Sequence, residues 1–176
     1  AREIHRKGTS HGKRMQAAGG AKNFIILMPD ADQDRTIEAV KDGAFGCAGE
    51  RCMAGSTAVA VGDAGDKLLP ALADLVSSMK VGPTDIRENQ PDMGAVISAE
   101  HKARVSGLVD AGERAGAKVL ADGRTTKVSD APDGFFLGPT VIDHVAPTNP
   151  LMENEVFGPV LAVMRAKTLD EAIEQA

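Results

Sequence analysis

The feature that most restricts the fold of this chain is a regular alternation between two hydrophobic periods. "NFIILM" (23–28) is a short, nearly continuous apolar run bounded by polar residues, the pattern of a strand buried on both faces. "PDADQDRTIEAVKDGAF" (29–45) follows, with aspartates at its start and Ile37, Val40 and Ala44 on one face, which predicts a helix with an acidic amino end. The unit then recurs. "STAVAV" (56–61) is β-prone, and 64–79 places Leu68, Leu69, Leu72, Leu75, Val76 and Met79 along one helical stripe, with Pro70 tolerable only within about its first turn.

The remainder continues the alternation. "KVGPTDIRENQPDMG" (80–94) is rich in Pro, Gly and charge and reads as a surface loop. Ser98 is placed to cap a helix running to about Ala115, with Gly116 suited to the position after its end. Strands are predicted over 118–123, 135–145 and 157–166, with a polar loop at 124–134, and "TLDEAIEQA" (168–176) starts a further helix. No internal repeat or low-complexity segment interrupts the series. Alternating strands and helices specify an α/β layer fold with a mainly parallel sheet. Ligands of such sheets sit at the carboxyl ends of strands and in the loops that follow, and the stretch 45–55 reads as one of these connections.

Composition narrows the function classes. With 176 residues and 43% apolar content the chain can fill a core. A net charge of −5 and a pI near 5.4 provide no global cationic field for nucleic acid or an anionic membrane surface. Trp and Tyr are absent and Phe occurs five times, which argues against aromatic stacking platforms. No apolar run approaches the roughly 18 residues of a membrane span, and no secretory core precedes the cysteines. The opening "AREIHRKGTSHGKR" carries seven basic or His residues and one Glu and is expected to be a solvated helix or arm.

Both cysteines fall in "FGCAGERCMAG" (45–55). A reducing, cytosol-like compartment disfavours a disulfide, and zinc would require a second ligand pair that the scattered histidines 5, 11, 101 and 144 do not supply. Two readings stay open, an inert thiol and a nucleophile. Cys52 has features that Cys47 lacks. It follows Arg51, and a neighbouring cation favours a thiolate. It also lies between Gly49 and Gly55, which would let backbone N–H groups approach a developing oxyanion.

"FGCAGERCMA" resembles the catalytic-cysteine motif of the aldehyde dehydrogenase superfamily. Further landmarks agree in order and spacing: "GGAKN" (19–23), "MPDAD" (28–32), "KVG" (80–82), "FFLGPTVID" (135–143) and "ENEVFGPVLAV" (153–163). Within the superfamily, "HGKRMQAAGGAKNFIILMPDAD" and "AGERCMA" are similar to the methylmalonate-semialdehyde dehydrogenase family. The resemblance runs from about His11 to the end. It implies a three-layer, open, mainly parallel sheet with flanking helices, truncated at both ends. Residues 1–18 would end an NAD-binding domain and 19–176 would form an incomplete catalytic domain.

The resemblance also implies roles for individual residues. Cys52 would be the nucleophile that forms a thiohemiacetal and then a thioester. Arg51 would neutralise the carboxylate of a semialdehyde acid, and Glu155 and Phe157, in the E-x-F-G-P motif, would hold NAD at its nicotinamide ribose and ring. No role carries over to Cys47, which is expected to be small and buried, and no metal is implied. Family members that release free acid carry a Glu where this chain has Ala18, which cannot accept a proton. That points to coenzyme A as the acyl acceptor, with methylmalonate semialdehyde yielding propionyl-CoA and malonate semialdehyde acetyl-CoA, each with loss of carbon dioxide. Glu50 is the nearest alternative base, although adjacent side chains need not point the same way. A hydrolytic aldehyde dehydrogenase and a non-catalytic remnant are the competing readings. A homodimer or homotetramer is implied for the full-length protein, in the cytoplasm or, in a eukaryote, the mitochondrial matrix.

Overall fold

The computed structural model describes residues 1–85 and 90–176. Five strands form one sheet in the order β1-β2-β5-β4-β3: β1 (Phe24–Leu27), β2 (Thr57–Val61), β3 (Lys118–Ala121), β4 (Thr140–Asp143) and β5 (Val160–Ala166). Three of the pairings are parallel, and only β3 runs antiparallel, against β4. Every residue of β2 is buried, as is all of β5 except Arg165, as expected for strands of Val, Ala and Leu in the middle of a covered sheet. β1 differs from its sequence reading. Its apolar run forms the sheet's edge, and Phe24, Ile25 and Ile26 remain half-exposed.

The helices are α1 (Arg2–Ser10), α2 (Gln33–Phe45), α3 (Ala64–Ser78), α4 (Ala99–Arg114), α5 (Pro150–Glu153) and α6 (Leu169–Gln175), with a 3-10 turn at Gly46–Gly49. Their starts follow side-chain capping: Asp32 accepts from Arg35 N at 2.9 Å, Ser98 from His101 N at 3.1 Å and Thr168 from Glu171 N at 3.2 Å. α4 ends as predicted, with Gly116 in the left-handed region at φ 96°. α3 buries Leu68, Leu69, Leu72 and Val76, and Pro70 lies on its exposed side, in the second turn rather than the first. α1 buries nothing. α5 was not legible as a helix; Asn149 caps it and Pro150 supplies its first turn.

The predicted 80–94 loop is pinned at its base by a bridge between Val81 and Met93, and Met93 is buried. Residues 86–89 of that loop lie outside the described residues. Among the described residues no helix is long and apolar enough to cross a membrane.

Candidate active site

The residues singled out in the sequence meet at one end of the sheet, and it is the opposite end from the one expected. The turn 46–55 leads from α2 into β2, so it lies where β2 begins. Asn23 lies where β1 begins, and Gly158 just precedes β5. Register aligns the three starts: Phe24 pairs with Thr57 and Thr57 with Ala162. Backbone bonds lock them, Thr57 N to Asn23 O at 3.3 Å and Ala162 N to Ser56 O at 3.0 Å. A helix-to-strand connection in a parallel sheet necessarily faces the amino ends, and the carboxyl-end placement of 45–55 is corrected accordingly.

Cys52 is exposed on this turn. Its carbonyl accepts from Asn23 Nδ2 at 2.9 Å, and the same amide donates to Ala54 O at 3.0 Å. Ala54 N closes the turn on Arg51 O at 3.0 Å. The cysteine is therefore presented by backbone gripped from the start of β1. Cys47 is also exposed, not buried as expected. It opens three successive left-handed residues, Cys47 (φ 53°), Ala48 (φ 55°) and Gly49 (φ 69°), a conformation disfavoured for the first two. That run turns the chain sharply after α2 and aims the Cys47 side chain outward.

The two glycines flanking Cys52 serve close packing. A Cβ on Gly49 would come within 2.2 Å of Gly158 O, and one on Gly55 within 2.4 Å of Ile25 Cδ1. The N–H of Gly55 is used on Gly43 O at 3.0 Å. Gly49 is thus where the cysteine turn touches the E-x-F-G-P loop, backbone against backbone.

Arg51 is turned onto the end of α2. Its guanidinium donates to Asp42 O at 2.5 Å and Gly43 O at 3.2 Å, lies across Gly46, and keeps Nε buried without a partner among the described residues. It satisfies carbonyls at the negative end of the helix. The Glu50 carboxylate is likewise engaged by other groups. Its Oε1 accepts from Ile97 N at 3.2 Å and lies 3.2 Å from His101 Nε2. Ala18 is an exposed methyl with no proton-accepting atom.

The E-x-F-G-P loop is held by its carbonyls. Arg104 donates to Glu155 O at 2.6 Å and Val156 O at 2.8 Å, and His101 Nε2 to Phe157 O at 2.6 Å. Lys22 reaches Leu151 O at 2.7 Å and Asn154 O at 2.5 Å. Burial lowers the Lys22 pKa from its ordinary value, and the charge of Glu155 opposes that shift. The Glu155 carboxylate lies beside Gly20, 3.3 Å from where a Cβ would sit. Phe157 is 37% exposed and left-handed at φ 50°. The Glu155 carboxylate and the partly exposed Phe157 ring thus stand two residues apart on one loop. Asn23, Lys22, His101 and Arg104 escaped the sequence reading as site residues, because each acts on a backbone carbonyl remote in sequence.

Among the described residues no group of three or more His, Cys, Asp or Glu side chains is placed to hold a metal. A cavity of about 370 Å³ is lined by β1, the loop after it and α2, including Ile25, Met28, Arg35 and Val40, and not by Cys52. The cysteine stands on an open surface.

Relatives share both the sequence and the fold. Mitochondrial methylmalonate-semialdehyde/malonate-semialdehyde dehydrogenase [acylating] of Homo sapiens is 46% identical over 173 residues, which is 97% of this chain and 31% of that protein. Malonate-semialdehyde dehydrogenase of Pseudomonas aeruginosa is 43% identical over 172 residues, 97% of this chain and 34% of that one. The crystal structure of methylmalonate-semialdehyde dehydrogenase from Oceanimonas doudoroffii superposes with a TM-score of 0.90 at 44% identity, covering 99% of this chain and 36% of the other. A structure from Sinorhizobium meliloti 1021 with NAD bound, itself only provisionally assigned to the methylmalonate-semialdehyde dehydrogenases, gives 0.91 at 41% identity, with 99% and 35% covered. The chain thus spans about a third of the length of these relatives. A profile of the aldehyde dehydrogenase family matches residues 1–176 without interruption, and with the cysteine turn and the E-x-F-G-P loop in contact, the chain belongs to that family.

Proposed function

We propose that this chain is the thiol-bearing part of an NAD-dependent, CoA-acylating dehydrogenase acting on methylmalonate or malonate semialdehyde. Residues 1–18 belong to the end of a cofactor domain on this reading, and 19–176 to the catalytic domain. The observation that carries it is the exposed Cys52, held by Asn23 on a turn whose Gly49 packs on Gly158 of the E-x-F-G-P loop.

Cys52 attacks the aldehyde carbon to give a thiohemiacetal, whose oxidation leaves a thioester on sulfur. NAD, when bound, supplies the hydride acceptor, and Glu155 and Phe157 are the residues that would hold it. Arg51 receives the substrate carboxylate on this reading, for which its guanidinium would swing away from the carbonyls of Asp42 and Gly43 that it bonds here. The carboxylate β to the thioester is lost as carbon dioxide, and the thiol of coenzyme A takes the acyl group and frees Cys52. Ala18 supports this ending over hydrolysis, since no carboxylate stands there to activate water, and Glu50 is occupied by Ile97 and His101.

The test is NADH formation from malonate semialdehyde, with and without coenzyme A, by protein of the relatives' full length carrying this segment. The expected result is turnover that depends on coenzyme A and yields acetyl-CoA, with little NAD reduction by the 176-residue chain alone. Equal rates without coenzyme A and a free-acid product would overturn the acylating assignment.

A further inference from the structure

We infer that Glu50 and His101 form a latch that sets the position of the cysteine turn relative to the E-x-F-G-P loop, making His101 a positioning residue for both Cys52 and Phe157. The inference rests on the roles proposed above for those two residues, but its geometry stands apart from them. His101, in the first turn of α4, has Nε2 2.6 Å from Phe157 O and 3.2 Å from Glu50 Oε1. A carbonyl only accepts, so Nε2 carries the proton and donates it to Phe157 O, and the Glu50 carboxylate stands beside that same N–H as a close electrostatic neighbour. One ring atom thus joins a residue two positions before Cys52 to the peptide that follows Phe157.

Three surroundings make this joint restrictive. The side chains of Glu50 and His101 are only 15% and 16% exposed, so water competes weakly for the bonds. Glu50 Oε1 also accepts from Ile97 N at 3.2 Å, which fixes the carboxylate to the segment leading into α4. Phe157 is left-handed at φ 50°, a conformation that costs a bulky residue energy and needs outside support. The bond to its carbonyl supplies support, and the His101 ring meets the Phe157 ring edge-on with centroids 6.4 Å apart. A shift of the turn by a fraction of an ångström is therefore transmitted to the Phe157 ring, and the reverse. Gly49 against Gly158 gives the two loops steric contact; His101 gives them orientation.

The experiment compares wild type, His101→Leu, His101→Gln and Glu50→Ala in full-length protein. Peptide-resolved hydrogen exchange reads segments 46–55 and 154–160, and kcat and KM for NAD are measured alongside. His101→Leu is expected to speed exchange in both segments at once and to lower kcat/KM about tenfold, the scale of one lost hydrogen bond. His101→Gln, whose amide N–H can reach the same carbonyl, should recover most of that loss. Glu50→Ala combined with His101→Leu should be no worse than the more damaging single change, since both break one link. Exchange that changes in one segment only or in neither, or a Gln variant as impaired as Leu, would overturn the latch. If wild-type protein oxidises no semialdehyde the proposed function fails, and the exchange measurement still decides the latch by itself.

Discussion

At the scale of single residues, the site is built from groups that hold backbone in place. Asn23 shows this most clearly, because one amide bonds the carbonyls on either side of Met53 and so fixes the direction in which Cys52 leaves the turn. Asn23→Ala is expected to cost about 1–2 kcal/mol of stability for two lost bonds and to lower turnover about tenfold or more, since small displacements of a reacting atom are expensive. Thermal melts together with steady-state rates check this; unchanged rates in a folded variant would remove Asn23 from the site. The sequence marked Cys52, Glu155 and Phe157 through motifs, but Asn23, Lys22, His101 and Arg104 bear on carbonyls 29 to 132 positions away. A carbonyl carries no mark of its residue type, so no pattern of side chains foretells such a bond. The expectation of a buried Cys47 fails for a related reason. Its small thiol suggests burial, whereas three consecutive left-handed residues aim it outward.

At the scale of elements, the helices α2, α4 and α6 were readable because hydrophobic period and capping chemistry agree at Asp32, Ser98, Thr168 and Gly116, whereas the strand expected over 135–145 shortens to Thr140–Asp143, after the Gly138-Pro139 turn. Which strand takes the edge was not readable: the apolar run at β1 matches that of β2 in character, and only the long-range pairing leaves one side of it open. One joint between elements is an ion pair no local pattern shows. Arg165 of β5 bonds both oxygens of the buried Asp143 of β4, at 3.0 and 2.7 Å, passes closely over Gly65, and reaches Asp66 of α3 at 3.0 Å. Burial raises the Asp143 pKa, but the hydrogen bonds from Arg165 and from His144 N, with the Arg165 charge, outweigh it and leave the carboxyl below its ordinary value. A lowered folded-state pKa means the contribution to stability is complete above the usual Asp range and is lost as pH falls through the folded value. Asp143→Asn should accordingly cost about 3 kcal/mol near neutrality, where it strips a buried pair of one partner, and the gap from wild type should narrow in acid. Urea midpoints of the two proteins across that range check this; a gap independent of pH would contradict it.

At the scale of the whole molecule, the parallel strands bring their amino ends into register, and three segments far apart in sequence arrive there together: the start of β1 with Asn23, the turn with Cys52, and the loop with Glu155 and Phe157. The class of fold was legible, but the end of the sheet at which these residues gather was not, because alternation of periods states which elements occur and is silent on which connections converge. The most direct measurement is mass analysis of peptides from protein of the relatives' full length, carrying this segment, incubated with malonate semialdehyde and NAD but no coenzyme A. An acyl group should be found on Cys52, absent from Cys47, and released when coenzyme A is added. Acylation elsewhere, or undiminished thioester production by Cys52→Ser, would contradict the account.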